Sequence, residues 1–219
     1  MGSTEPSTSA LRERIATLLR HTEPGGEAEF PYAAQFTSEQ IASMRQKFLP
    51  ERLAPAAVLV PLVERPAGLH VLLTQRASHL KNHAGQVSFP GGRIESRDAG
   101  PWEAALREAR EEIGLDAGYV TRAGFLPDHL VISGFRVTPA VGFVQPGFTL
   151  RLDTSEVEDA FEVPLEFLID PANRVPRERH FAGFSLTTYD IPYQGRQIWG
   201  ATASMLMTLS RLLLQDART

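Results

Sequence analysis

Residues 107–115 have the sequence Arg-Glu-Ala-Arg-Glu-Glu-Ile-Gly-Leu. They end a segment that begins at Pro101, and proline suits the first turn of a helix because its missing N–H would be unpaired there anyway. Gly114 suits the position after the last turn, where a left-handed backbone is often needed. The sequence therefore predicts a helix over residues 101–113.

The predicted helix sorts its residues onto two faces. An apolar stripe, which we expect to face the core, consists of Trp102, Leu106, Ala109 and Ile113. A second face, within an arc of roughly 100°, carries Glu108, Glu111 and Glu112. Ala104 and Ala105 precede the glutamates by one turn on that face, and we expect them to leave room beside the carboxylates.

The three carboxylates repel one another, by about 0.2–0.5 kcal/mol for each pair at i,i+3 or i,i+4. Glu111 and Glu112 also lie near the helix C-terminus, where the helix dipole disfavours anions by ~0.3–1 kcal/mol each. A divalent cation would reverse this balance, since carboxylate oxygens are natural ligands of Mg²⁺ or Mn²⁺. Taken alone, however, such a pattern is more often a solvated Glu/Arg face.

Pro90-Gly91-Gly92 lies upstream of the acidic helix and follows a short run typical of a strand. Glycines permit unusual backbone angles and the close approach of a ligand. Two adjacent glycines are by themselves more often a turn, but their fixed distance from the acidic helix makes the pair specific.

Together these elements resemble the box of the Nudix hydrolases: Gly, five residues, Glu, seven residues, then Arg-Glu-hydrophobic-x-Glu-Glu-x-Gly-hydrophobic. The second half of the box matches residues 107–115, with the small Ala109 in the hydrophobic position. The first half departs from the pattern. Gly92 and Asp98 fit it if the intervening loop carries one extra residue, and Asp98 is then the stand-in for the early acid.

A second resemblance concerns residues 72–92, Leu-Leu-Thr-Gln-Arg-Ala-Ser-His-Leu-Lys-Asn-His-Ala-Gly-Gln-Val-Ser-Phe-Pro-Gly-Gly. This stretch is similar to the signature of the coenzyme A pyrophosphatase branch of the Nudix hydrolases, as are residues 134–139, 161–165 and 198–202. The resemblance implies metal-dependent hydrolysis of coenzyme A or acyl-coenzyme A to adenosine 3′,5′-bisphosphate and 4′-(acyl)phosphopantetheine.

The resemblance also implies the fold, an α/β (α+β) protein built as a Nudix-type α/β/α sandwich with a mixed sheet. We expect an N-terminal extension over residues 1–50, disordered over 1–9 and with short helices over 11–19 and from 37. The Nudix domain is expected over 51–215 and closes with a helix over 201–214. Candidate strands are 56–63 and 69–75 (a hairpin), 87–89, 119–126, 136–144, 148–152 and 185–191.

By the same resemblance, Glu108, Glu111 and Glu112 bind Mg²⁺ or Mn²⁺, and Arg107 orients them. The carbonyls of Gly91 and Gly92 are candidate supplementary ligands on the substrate-binding side. A further acid from a downstream loop is expected, and Glu162 is slightly favoured over Glu158, although a surface carboxylate explains either residue equally well. Arg76 and Lys81 are expected to contact phosphates, with a plain surface cation as the alternative for each.

Composition excludes several classes of protein. The chain of 219 residues has no cysteine, so any metal must be bound through oxygen or imidazole. Its formal net charge of −4 does not indicate a nucleic-acid-binding surface. No run approaches the ~18–20 apolar residues of a membrane span, and no apolar signal core is evident. We therefore expect a soluble cytoplasmic protein that binds neither nucleic acid nor membrane.

Three alternatives stay open. The same chemistry could act on ADP-ribose, a nucleotide sugar or a dinucleotide. A non-catalytic Nudix module that binds a nucleotide is a second alternative, although its usual mark would be the loss of box carboxylates. The apolar faces of the N-terminal helix and of residues 201–214 could form a homodimer, but packing in the core is the expectation.

Overall fold

The computed structural model describes residues 8–26, 28, 32–80, 83–131, 133–181 and 184–216. Within these ranges the α-helices are α1 (Thr8–Leu19), α2 (Ser38–Phe48), α3 (Pro101–Ile113), α4 (Leu165–Ile169) and α5 (Gly200–Asp216). The strands are β1 (Ala54–Arg65), β2 (Gly68–Arg76), β3 (Val87–Ser88), β4 (Gly91–Arg93), β5 (Val120–Phe125), β6 (His129–Val131), β7 (Phe135–Val144), β8 (Val157–Pro164), β9 (Val175–Phe181), β10 (Phe184–Tyr193) and β11 (Arg196–Ile198).

The long strand β1 organises a mixed central sheet. It runs parallel to β7 along most of its length. On its other side β1 pairs antiparallel with two partners in succession, first with β4 and then with β2. The main path of the sheet is β3-β2-β1-β7-β5, and β6 and β8 extend it by pairing with β7 and β2. This divided edge of β1 places β4 beside the start of β1, and α3 contacts both strands.

Helices cover both faces of the central sheet. Alternate residues of a strand point to opposite faces, so Val60 and Leu62 pack with α1 and α5 in one apolar cluster. Ala57 and Leu59 pack with α3 in the other cluster. The expected mixed α/β fold is confirmed, with the acidic helix on one side and the terminal helices on the other.

Local sequence signals place several elements correctly. Helix α3 spans residues 101–113 as predicted, and Gly114 follows it with φ 69°. Helix α2 starts with a capping box, in which Thr37 and Gln40 exchange side-chain and backbone hydrogen bonds. The predicted hairpin is β1–β2, and the predicted C-terminal helix is α5.

The predicted strand over residues 148–152 is wrong. Its alternating apolar residues do pack, because Phe148, Leu150 and Leu152 lie against the apolar cluster of α3. The backbone, however, caps the helix instead of joining the sheet. The Arg151 N–H donates to the Ile113 carbonyl at 2.9 Å, and the Asp153 N–H donates to the Glu112 carbonyl at 2.9 Å. These bonds satisfy helix-end acceptors that would otherwise lack partners.

Strands β6, β8, β9 and β11 were not predicted, and β4 occupies the position where a glycine turn was expected. The hairpin of β9 and β10 pairs Phe184 with Phe181 and continues into β11, which gives a second, three-stranded sheet. This second sheet lies beside the start of α5 and forms one wall of a cavity described below.

The N-terminal helix is part of the core. Leu11, Ile15 and Leu19 of α1 are buried in the same apolar cluster as residues of α5, as expected for core helices. Of the stretch expected to be disordered, residues 1–7 lie outside the described residues, whereas Thr8 and Ser9 begin α1. The domain boundary near residue 50 stays a prediction. In the described part of the chain, no helix is both long and apolar enough to cross a membrane.

Candidate active site

The centre of the site is the contact between β4 and α3. Gly92 lies directly against the Glu108 side chain, so closely that a Cβ atom on Gly92 would stand 2.6 Å from the carboxylate carbon. No pair of non-bonded carbons tolerates that distance, because favourable carbon–carbon contacts begin near 3.5 Å. The absence of a side chain at position 92 is therefore what allows the helix carboxylates to reach the strand.

Glu112 is the most buried of the three glutamates, with 6% of its surface exposed. The Gly91 N–H donates to its Oε2 at 3.3 Å. Burial is the main cause that raises the pKa of Glu112, to about 8; the charges of Glu108 and Glu156 act in the same direction, and the Gly91 N–H and the Arg76 charge oppose them. The protein therefore compensates the ionised form of this buried carboxyl only in part.

The other two glutamates have different surroundings. Burial raises the pKa of Glu108, although Arg107 donates to its Oε1 at 2.8 Å and opposes the rise. The Glu111 side chain is half-exposed and accepts from Arg107 Nη1 at 2.9 Å and from Arg97 Nη2 at 3.2 Å. The three carboxylates therefore range from a buried position against β4 to an open position at the helix surface.

The expected orientation of α3 needs correction. Ala104 and Ala105 are fully buried, so they pack against the sheet and leave no room beside the carboxylates. The predicted stripe does face the core, with Ala109 and Ile113 fully buried and Trp102 and Leu106 partly buried in the same cluster. Small alanines let a helix approach its neighbour more closely than leucine or tryptophan would. The helix is consequently rolled so that Glu112 faces β4.

Arg107 ties the loop before the helix to the glutamates. Its Nε and Nη2 donate to the two carboxylate oxygens of Asp98 at 2.9 and 3.0 Å, and Nη2 also donates to the Arg93 carbonyl at 2.9 Å. The hydrogen bond from Arg107 lowers the pKa of Asp98, and Asp98 in turn raises the pKa of Arg107. Asp98 thus holds the guanidinium in the orientation from which it contacts Glu108 and Glu111.

A groove of about 490 Å³ lies on the other face of β4. Ala56 and Val58 line it, whereas the alternating Ala57 packs toward α3. Gly91 and Gly92 also line the groove, so at this point only backbone separates it from the glutamates. We call this cavity the glycine groove.

Two arginines stand at the glycine groove. Arg76 Nε is buried and has no hydrogen-bond partner among the described residues. The Arg93 guanidinium carbon lies 5.3 Å from the centre of the Phe135 ring, which also lines the groove. An unpartnered buried guanidinium nitrogen favours an anionic ligand, since burying a donor without a partner is costly.

The two expected downstream acids each have a partner outside the glutamate cluster of α3. Glu162 is held by Arg65, whose Nε and Nη2 donate to its oxygens at 2.9 and 2.5 Å. Arg65 stands eight residues along β1 from Ala57, the partner of Gly92, which is roughly 26 Å of strand. Glu158 accepts from the Ser78 N–H at 3.1 Å. Lys81, expected to contact phosphate, lies outside the described residues.

Glu156 is the acid that sequence reasoning missed. Its charge raises the pKa of both Glu108 and Glu112, so it lies within electrostatic reach of the two buried carboxylates. Its carbonyl accepts from the Ala77 N–H at 2.8 Å, which fixes it beside the end of β2. Glu156 immediately precedes β8. Because the sequence did not predict this strand, it gave no reason to expect Glu156 near the other glutamates.

The donor set fits a hard divalent cation. Among the described residues, no three His, Asp or Glu side chains already converge on one point as a preformed metal centre. Nevertheless, Glu108 and Glu112 are both desolvated and lie within electrostatic reach of Glu156, and their raised pKa values, caused mainly by burial, show that the protein alone compensates the charge of their ionised forms poorly. A divalent cation would relieve this charge, and carboxylate oxygens are the ligands such ions prefer.

This arrangement defines a class of enzyme that reaches an anionic substrate through cations. The NUDIX domain model matches residues 53–182, more than half of the chain. The uncharacterized Nudix hydrolase NudL of Salmonella dublin is 42% identical over 168 residues, which cover 76% of this chain and 85% of that protein. Its counterpart in Salmonella paratyphi B is 43% identical over 156 residues, covering 71% and 80%.

Among solved structures, the chain resembles the Nudix hydrolase RenU of M. smegmatis, with a TM-score of 0.51 and 20% identity. The likeness covers 74% of this chain and 86% of that one, and it supports the fold. The chain belongs to the Nudix family and is a hydrolase that acts on pyrophosphate bonds. Nudix hydrolases generally act with divalent metal ions, which agrees with the carboxylates found here.

Proposed function

We propose that this enzyme hydrolyses the pyrophosphate bond of coenzyme A or an acyl-coenzyme A, giving adenosine 3′,5′-bisphosphate and 4′-(acyl)phosphopantetheine. The observation that carries the proposal is the position of the signature over residues 72–92. It forms walls of the glycine groove through Arg76, His83, Gln86, Val87, Ser88, Phe89, Gly91 and Gly92. A signature that served only packing would not line a cavity next to the glutamates.

The carboxylates of α3 are the proposed metal ligands. Glu108, Glu111 and Glu112 would hold Mg²⁺ or Mn²⁺, which when bound lowers the pKa of water and neutralises phosphate charge. Arg107 positions Glu108 and Glu111 through its hydrogen bonds, and Asp98 positions Arg107. Pre-positioned carboxylates need little reorganisation when substrate and metal arrive together.

Arg76 is the candidate for binding the diphosphate. Its Nε is buried at the glycine groove without a partner among the described residues, and its charge is close enough to Glu112 to lower the pKa of that carboxyl. Arginine binds phosphate through a rigid fork of donors. Arg93 lines the same groove and is a second candidate. Gly91 and Gly92 leave space for the phosphates to approach the backbone.

Glu156 is our candidate for the acid that accepts the proton of the attacking water. It is exposed, in contrast to Glu112, and no cation pairs with it in the described residues. The water oxygen forms the new bond to phosphorus, the bond to the bridging oxygen breaks, and the proton passes to the Glu156 carboxylate. Glu162 cannot take this part while its two oxygens remain in the ion pair with Arg65.

Substrate comparison tests the proposal. The purified enzyme would be incubated with coenzyme A, ADP-ribose and diadenosine polyphosphate in Mg²⁺ and separately in Mn²⁺, and products would be identified by mass spectrometry. We expect adenosine 3′,5′-bisphosphate and 4′-phosphopantetheine from coenzyme A, at a higher kcat/KM than for the other two compounds. Intact coenzyme A together with cleaved ADP-ribose would show that the branch assignment is wrong. Binding without turnover of any compound would favour a non-catalytic module.

A further inference from the structure

A second cavity, of about 670 Å³, lies between the second sheet and the start of α5. It is continuous with the glycine groove, because both cavities are lined by His83, Val131, Ser133, Trp199, Gly200 and Ala201. One path therefore leads from the glycines beside the glutamates into this second space. We call it the distal cavity, and its inner wall is formed by Leu130 and Leu186.

The exposed walls of the distal cavity are predominantly apolar, with Leu130, Val131 and Leu186 among them. Arg179 is the one Arg or Lys side chain among the described lining residues, and it is already engaged. Its Nη2 donates to Asp190 Oδ1 at 2.9 Å and its Nε donates to Thr188 Oγ1 at 2.8 Å. His83, His129 and His180 also line the cavity, but among its described lining residues no Arg or Lys charge is left without a carboxylate partner.

The polarity of the path matches a substrate with a charged head and an apolar tail. Near the glycines, the groove walls carry arginines and the polar side chains of Gln86 and Ser88. Farther along, Trp199 and Ala201 lead into the distal cavity. An adenosine 3′-phosphate end would bring further negative charge, for which a neutralised Arg179 is a poor partner.

We propose that the distal cavity binds the hydrocarbon chain of an acyl-coenzyme A, so that the enzyme prefers medium-chain thioesters to free coenzyme A. This inference rests on the proposed function and narrows its substrates from coenzyme A and acyl-coenzyme A in general to medium-chain thioesters. The diphosphate lies at the glycines, the pantetheine follows the glycine groove, and the acyl chain enters between Leu130 and Leu186. Each fully buried methylene strengthens binding by about fourfold, so even partial burial of an octanoyl chain produces a large preference.

The experiment compares kcat/KM for free, acetyl-, octanoyl- and dodecanoyl-coenzyme A in the wild-type enzyme and in variants. We expect the wild-type value for octanoyl-coenzyme A to exceed that for free coenzyme A at least tenfold. Leu186→Asp places a charge in the cavity and should bring this ratio close to one. Thr187→Asp, at the next position of β10 with its side chain on the opposite face, is the matched control and should keep the wild-type ratio.

Leu186→Ala is the second variant, and it removes apolar wall without adding charge. It should lower the octanoyl-to-free coenzyme A ratio of kcat/KM severalfold, and it keeps the test valid if Leu186→Asp does not fold. Octanoyl-pantetheine, which lacks the diphosphate, should inhibit competitively and more strongly than pantetheine. A wild-type enzyme that cleaves all four compounds equally well, or free coenzyme A best, overturns the acyl site and leaves the proposed function intact. If the enzyme cleaves none of them but does cleave ADP-ribose, the proposed function itself fails, and this inference fails with it.

Discussion

Arg107 and Asp98 form a two-pronged ion pair, with Nε–Oδ1 and Nη2–Oδ2 distances of 2.9 and 3.0 Å. Asp98 is nearly fully buried at its carboxylate, and its remaining contact is the Glu95 N–H at 2.8 Å. The loop before α3 is therefore fastened to the guanidinium that contacts two glutamates of the helix. One extra residue in this loop relative to the usual box spacing is accommodated because Asp98 still reaches Arg107.

Asp98→Asn should lower kcat by about 10–100-fold, the usual effect of removing a group that orients metal-binding side chains. The amide keeps the size of the side chain but loses the charge that fixes Arg107, so Glu108 and Glu111 lose their alignment. Glu95→Gln is the matched control, because its exposed carboxylate pairs with Arg97 alone in the described residues. Steady-state kinetics at several Mg²⁺ concentrations would measure both. Equal activity of the two variants would count against the positioning role of Asp98.

Gly92→Ala should reduce turnover about 100-fold while leaving most of the stability intact. The new methyl would stand 2.6 Å from the Glu108 carboxylate, which belongs to a side chain and can move aside. A displacement of about 1 Å at a reactive group is enough for such a loss. The measurement is kcat together with a thermal melt.

Gly91→Ala is the contrasting substitution. Its Cβ would lie 2.4 Å from the Ala57 carbonyl oxygen and 2.6 Å from Val58 Cα, which are backbone atoms of β1 and cannot move aside. We expect a destabilisation of about 1–3 kcal/mol or more, typical of overpacking, seen as a lower Tm in the same melt. Similar melting temperatures for the two variants would mean that β4 is freer to shift than the structure indicates.

The sequence predicts the features that depend on residues close together in the chain better than the features that depend on tertiary contacts. The limits of α3 follow from Pro101 and Gly114, which are local, and the prediction is correct at both ends. The roll of the helix is a tertiary property. It follows from how closely α3 can approach β4, and that distance depends on Ala105 and Gly92 together. The apolar stripe therefore identifies a face that does pack in the core, but it does not predict the full burial of Ala105 or the burial of Glu112.

The position of the downstream acid also depends on tertiary contacts that the sequence alone did not predict. Glu162 was favoured because it stands beside a motif, yet strand register places it next to Arg65, far along β1 from the glycines. Glu156 reaches the site through the turn that precedes β8, and this turn is fixed by its contact with Ala77. Proximity in sequence to a motif is thus weaker evidence than the pairing of the strand that carries the residue.

The stability of the metal-free enzyme should fall as pH rises from 5 to 9. Glu112 has a pKa of about 8 in the folded protein, above its ordinary value of 4.5, so the folded state holds a proton that the unfolded state has released. The stabilisation is full below pH 4.5 and is lost as pH rises toward 8, by up to roughly 5 kcal/mol, since each unit of pKa difference corresponds to about 1.4 kcal/mol. Thermal melts in EDTA across this range would measure it.

Two comparisons separate Glu112 from other titrating groups. Glu112→Gln cannot ionise, so its melting temperature should change much less between pH 5 and 9. Addition of Mg²⁺ to the wild-type enzyme at pH 9 should restore most of the lost stability, because a cation compensates the buried carboxylate and binds the folded state alone. If the wild-type and Glu112→Gln proteins show the same pH dependence in EDTA, another group is responsible.

Glu156→Gln and Glu162→Gln should affect different properties. Removing the Glu156 carboxylate deprives the water of its proton acceptor, and general-base catalysis of this kind contributes about 10²–10⁴-fold. We therefore expect kcat to fall by at least about 100-fold with an unchanged melting temperature.

Removing the Glu162 charge breaks a partly exposed ion pair with Arg65, worth up to about 1 kcal/mol, and should leave kcat within a factor of two. The reverse result would return the downstream acid to Glu162 and would require β8 to shift relative to α3 during turnover.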